Sequence, residues 1–265
     1  MTTTTATSGK TAVPGKNTKR RTYKLGKKAP VVDKRTLRFG KYLTLPTAPQ
    51  SVTYYDKVPS WPIYYNDQYG DCTCAAAAHM IQNWTANAGT EVSPPNQTVL
   101  SFYEHFVGTP PPPDEGCNML SVLKYWRSTG LDHHMVTAFA SIDTQNQAQT
   151  QSAIFLLGSI YIGVALPDFA VQGDMLTVPW VVPPGGPVGN AAPNPNNGHC
   201  IPAVGYDVDQ LWIVTWGELK SMSWDFYHAY ADEAYAVLSR DFIDKSGEAP
   251  AGLDLQTLKA DLAEL

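Results

Sequence analysis

The chain has 265 residues, 43% of them hydrophobic and 11% aromatic, which is enough to bury a sizeable core in one large domain or two small ones. No run approaches the roughly 18 apolar residues of a membrane span, and the Thr-rich start lacks the apolar core of a secretory signal; a soluble, cytoplasmic protein without a membrane partner is expected. The net charge of −5 divides sharply, because residues 1–45 hold 12 of the 19 Lys and Arg with one acid, Asp33, giving +11 against −16 for the remainder.

Residues 1–45 therefore read as a basic arm, running through Lys10, Lys16, Arg20, Arg21, Lys24, Lys27 and Lys28 with almost no large apolar residue. It is predicted to be disordered and to contribute nothing to the fold. It reads either as a solvated extension lying against the acidic body or as an electrostatic tether to nucleic acid or another polyanion.

From about Leu45 aromatic content rises (Tyr54, Tyr55, Trp61, Tyr64, Tyr65) among prolines, as in a segment wrapped over a domain surface. Asp71 is placed to cap a helix that starts at Cys72, runs through the Ala75–Ala78 stretch and ends near Gly89. A second helix is predicted from Pro94 or Pro95 to Val107, stopped by Gly108 and Pro110–Pro113, and a third from Met119 to Ser128. Ser159–Leu166, His199–Tyr206, Leu211–Trp216 and Ala234–Leu238 read as strands, with helical segments near Gln147–Leu157 and Ser223–Tyr230. Pro167–Gly198 is a long Pro-, Gly- and Asn-rich loop that delivers the chain to His199, and a short helical extension is expected beyond residue 245.

The four cysteines, Cys72, Cys74, Cys117 and Cys200, are too few for a disulfide scaffold, although a bridge from Cys117 to Cys72 or Cys74 stays open. A thiol attacks as its thiolate, which a helix N-terminus and a nearby imidazolium stabilise. Cys72 has the first feature from its local sequence. His199, at the start of an apolar strand, is the best source of the second; His79 lies two helical turns beyond Cys72, roughly 10 Å along the axis. His133 and His134 are adjacent in an expected strand, and His105 and His228 lie on expected helices, all four read as structural or solvent-facing. A zinc site from Cys72, Cys74, His199 and Cys200 is disfavoured, because neighbours on a strand diverge and there is no Cys-x-x-Cys pair, so no metal or cofactor is called for.

Gly70-Asp-Cys-Thr-Cys-Ala75, Asn197-Gly-His-Cys-Ile-Pro-Ala-Val-Gly-Tyr206 and Leu211-Trp-Ile-Val-Thr-Trp-Gly217 resemble, in order, the nucleophile elbow, histidine strand and Trp-Gly segment of papain-like cysteine peptidases. Glu115-Gly-Cys-Asn118, Ser159-Ile-Tyr-Ile-Gly-Val164 and Asp232-Glu-Ala-Tyr-Ala-Val-Leu238 extend the likeness over about residues 46–240, nearest to a bacterial and phage branch with a Gly-Asp-Cys-Thr motif. Cys72 and His199 are 127 residues apart and Cys72 and Thr215 are 143 apart, close to the roughly 130–150 of that superfamily.

The resemblance implies an α+β, two-lobed fold: a basic arm over 1–45, a peptidase domain over 46–245 and an extension over 246–265. It implies Cys72 as nucleophile, with Cys74 as a rival, His199 as base and a peptide or protein as substrate. Two departures stand out. Val214 or Thr215 takes the place of the asparagine that orients the histidine, and Asn66 stands six residues before Cys72 where a glutamine would hold the oxyanion. Cys72 and His199 are expected to meet within about 4 Å across a cleft between the lobes. The competing expectation is a catalytically weak or inactive papain-like domain, serving as a binding or phage virion-associated structural protein.

Overall fold

The computed structural model describes residues 23–43, 48–109, 114–171, 179–242 and 253–263. Its elements in chain order are β1 (Leu37–Arg38), β2 (Val52–Thr53), α1 (Cys72–Ala88), α2 (Asn96–Val107), α3 (Met119–Ser128), β3 (Val136–Ser141), α4 (Gln147–Leu157) and β4 (Ile160–Ala165). They continue with β5 (Gly198–Tyr206), β6 (Gln210–Thr215), β7 (Glu218–Ser223), α5 (Trp224–Tyr230), β8 (Ala231–Ser239) and α6 (Leu255–Ala263).

Helix α1 carries no charged residue and is buried from Cys72 to Thr85, a pattern that suits a helix walled by protein on every side. Its alanines let it lie close against β5, and it ends at Gly89, whose φ of 118° turns the chain where a side chain would be strained. Asn118 starts α3 by accepting hydrogen bonds from the Leu120 and Ser121 N–H groups. Helices α1, α2 and α3 enclose one core, with the Trp84 and Trp126 rings stacked 5.6 Å apart.

Among the described residues the strands form one sheet in the order β1-β3-β8-β4-β5-β6-β7, with β2 against β5. Only β1 and β3 pair in parallel. Alternation along β4 separates two cores: Tyr161 enters the helical one, while Ile160, Ile162 and Val164 enter a second shared with α4 and α5. The result is an α+β fold with a helical lobe and a sheet-rich lobe, as expected. No helix among the described residues is long and apolar enough to cross a membrane.

Several expectations need correction. Residues 1–22 of the expected arm lie outside the described residues, but residues 23–43 are packed on the body: Lys27 is buried and forms an isolated bridge with Cys117, and β1 joins the sheet. Both expected domain boundaries, at 45/46 and 245/246, and the Pro110–Pro113 stop also fall outside. His133 and His134 sit in a tight turn closed by Leu131 and His134, not in a strand, with φ of 50° at Asp132 and 68° at His133. Strand β7 was not foreseen. Asp71 holds the N-cap position of α1, yet its side chain makes no capping hydrogen bond.

Candidate active site

Cys72 enters at the first turn of α1 and His199 at the second residue of β5, and the packing of α1 on β5 brings the two to one narrow cavity. Asn66, Thr215 and Trp216 line the same cavity. All four cysteines are free, buried thiols. Cys200 points to the helical core and His199 to the other side of β5, so the two diverge as strand neighbours should.

His199 Nε2 lies 2.9 Å from Thr215 Oγ1, while Nδ1 has no hydrogen-bond partner among the described residues. The Trp216 indole stacks on the imidazole at 4.3 Å between centroids and 14° between planes, sealing the His199–Thr215 bond from water. Trp216 holds that position at a φ of 46°, in the two-residue turn with Gly217 that joins β6 to β7. Positive φ at a bulky residue is costly, and strain of this kind persists only where the surroundings fix it. Asn66 gives one amide hydrogen to the Tyr69 carbonyl at 3.1 Å. Cys74 instead faces Cys117 and Thr73 inside the helical core. His79 Nε2–H donates to the Pro62 carbonyl, 2.7 Å away, between Trp61 and Tyr64.

Burial pushes the Cys72 thiol up to about 12, only partly offset by the backbone N–H groups of Cys200 and Gly26 near its sulfur. Burial, helped by the Lys220 charge, pulls His199 down to about 3. Both groups are therefore neutral in this state, and a thiolate–imidazolium pair is not formed.

The segment Tyr23–Lys28 threads between the lobes as a strap and brings the Gly26 backbone to the Cys72 sulfur. On the helical side Lys24 N–H donates to Asn66 O at 2.9 Å, Lys28 N–H to Cys117 O at 3.0 Å, and Cys117 N–H to Gly26 O at 2.9 Å. On the sheet side Lys27 N–H donates to Gly198 O at 3.1 Å, and the Trp216 indole N–H donates to Lys24 O at 3.0 Å. A Cβ on Gly26 would stand 1.8 Å from the Gly70 carbonyl oxygen, and one on Gly116 would stand 1.9 Å from Gly26 O, so the strap fits only as bare backbone here. Sequence reasoning missed the strap because a Lys-rich stretch reads as solvated; Gly26, set between Leu25 and Lys27, was the local sign of a close approach.

Comparison with protein families gives no match, and neither does comparison with curated proteins. Solved structures do match. Xylellain, a cysteine protease from Xylella fastidiosa, aligns over 83% of this chain and 98% of its own, at 15% identity and a TM-score of 0.60. The fold is papain-like. The Carica candamarcensis cysteine protease CMS1MS2 aligns over 72% of this chain and 98% of its own, at 16% identity and a TM-score of 0.52. The ragweed cysteine protease Amb a 11, in its proform, aligns over 77% and 70%, at 15% identity and a TM-score of 0.53. Within this papain-like fold the cavity of Cys72 and His199 lies where the helical and sheet lobes meet.

Proposed function

We propose that the chain is a cysteine peptidase or a related thiol-dependent amide hydrolase, with Cys72 as nucleophile and His199 as acid and base. One observation carries this reading: in a papain-like fold, a thiol at a helix start shares a cavity with an imidazole that is anchored through Nε2 and unpartnered at Nδ1. The Cys72 thiolate adds to the substrate carbonyl carbon, and the resulting oxyanion faces the Cys72 N–H on the side of the cavity that Asn66 lines. The carbon–nitrogen bond then breaks as the imidazolium gives its proton to the leaving amine. Water, yielding a proton to His199, attacks the thioester; the acid leaves and the thiol is restored. Thr215 positions the imidazole. In this reading the strap keeps the site latent, and the finer placement in a bacterial and phage branch rests on the Gly-Asp-Cys-Thr motif.

A second reading, an inactive papain-like domain acting as a binding or virion-associated structural protein, is favoured by the Thr215 hydroxyl standing where an amide is expected beside His199.

Gly26→Ala separates the two readings, because its Cβ collides with Gly70 backbone and unseats the strap in the full chain. Iodoacetamide labelling, mapped by mass spectrometry, should be slow and alkaline-dependent in the native protein. In Gly26→Ala it should be fast near neutral pH and concentrated on Cys72, with Cys74, Cys117 and Cys200 lagging. Adding His199→Ala should remove at least about tenfold of that rate, as expected when the imidazolium no longer holds the thiolate, and Thr215→Ala should remove less. Hydrolysis of a fluorogenic peptide should vanish with Cys72→Ala. Uniform slow labelling of all four thiols, indifferent to His199→Ala, transfers the assignment to the binding protein.

A further inference from the structure

Of the strap lysines, Lys24 and Lys28 are exposed, whereas the Lys27 side chain is only 1% accessible. Its ammonium lies 2.9 Å from Asp232 Oδ2 and 3.4 Å from Glu233 Oε1, and donates to its neighbour's carbonyl, Lys28 O, at 3.2 Å. Tyr235 OH donates to Glu233 Oε2 at 2.9 Å, which fixes the carboxylate with its other oxygen toward the lysine. The stem of Lys27 runs over Gly163 of β4, where a Cβ would stand 2.4 Å from Lys27 Cε and 2.7 Å from Met119 Sδ. The site is thus a slot with a glycine floor, long enough for an unbranched stem and ended by two carboxylates. Everything that forms it belongs to the body of the protein. Burial raises the Glu233 carboxyl, and the Lys27 charge is the chief force holding it down.

A pocket so built strongly resists standing empty or holding a neutral guest, because a buried carboxylate without its counter-charge is strongly destabilising. Its position follows from the strap: Gly26 lies against the Cys72 sulfur and Lys27 is the next residue, so the slot opens one residue away from the nucleophile.

We propose that this slot is the specificity pocket of the site, taking a lysine or arginine side chain of the substrate against Asp232 and Glu233 once the strap has left. The proposal rests on the peptidase reading of Cys72. Leucine, glutamine or glutamate at the same position leaves the buried Glu233 unmatched, and a residue larger than glycine at 163 would close the slot.

The test uses the full-length Gly26→Ala chain with fluorogenic peptides varied at each position before the leaving group. One position should favour lysine or arginine over leucine by on the order of 100-fold in kcat/KM, about what an unmatched buried charge costs. Glu233→Gln should remove most of that preference, both by lowering kcat/KM for the basic peptides and by raising it for leucine peptides, which no longer leave a buried charge unmatched. Preference for an apolar residue, or a basic preference untouched by Glu233→Gln, overturns the proposal.

A second readout needs no cleavage. In Lys27→Ala, n-butylammonium near tenfold above its Kd should raise Tm by on the order of 3 °C where n-butanol does not, and Lys27→Ala/Glu233→Gln should lose the shift. If Lys27→Ala does not fold, the same shift is read in Gly26→Ala, whose pocket is emptied with its native walls intact. No ammonium-specific shift overturns the pocket even if peptides are cut. A shift in a protein that cleaves no peptide and never labels Cys72 upholds the cation pocket while overturning the peptidase reading.

Discussion

Asp71 is wholly buried immediately before Cys72, and neither carboxylate oxygen has a hydrogen-bond partner among the described residues, although the Asn66 amide lies beside it. Burial raises its pKa well above the ordinary carboxylate value. The folded state therefore keeps a proton that the unfolded chain releases above about pH 4, so this residue withdraws stability as pH rises through the carboxylate range. Asp71→Asn should leave the urea midpoint unchanged near pH 4 and raise it at pH 8, with the gap widening between. The buried histidines act in the opposite sense. Burial lowers His199 to about 3 and His79 to about 4, against about 6.5 unfolded, so stability is full above about pH 6.5 and is lost as pH falls through that window. Native-state denaturation from pH 7 to 4 should show that decline, and His79→Gln should flatten it. A flat profile in the wild type would mean these imidazoles are open to water.

Elements with a local punctuation mark were legible from sequence, and those defined by distant partners were not. Helix α3 has the predicted ends because Asn118 caps it, and α4 stops at Gly158, whose φ is 78°. Strands β1 and β2 have two residues each, too few for any periodicity, and β7 buries Lys220 and Ser221, which reads as surface. The Cys72 and His199 assignments came from motif order and local position, whereas Trp216's role depends on a turn geometry that no propensity suggests. Asp232 and Glu233 entered only as part of a last strand, because their partner, Lys27, lies about 205 residues earlier. Helix α1 offers the test at this scale. Ala77 is fully buried between the helix and its neighbours, so Ala77→Leu should cost about 1–3 kcal/mol by overpacking, read as a fall in Tm of a few degrees. An unshifted Tm would mean that α1 does not sit as tightly as its alanines imply.

Across the whole molecule the strap is the tie between the lobes, since it bonds to Asn66 and Cys117 on one side and to Gly198, Trp216 and Asp232 on the other. Deleting residues 1–28 should therefore lower Tm by several degrees and reduce amide-exchange protection in α1 and β5, each lost buried hydrogen bond being worth about 1 kcal/mol. An unchanged Tm would show that the lobes hold each other without it.

The direction of that tie has a consequence of its own. The bridge between Lys27 and Cys117 is parallel, and near the Cys72 sulfur the strap presents the N–H of Gly26. An amide hydrogen offers a sulfur nucleophile no electrophile. On the peptidase reading of Cys72 the strap is thus a guest that the site does not cleave, and a sample of the intact 28.9 kDa chain left for days should keep its full mass.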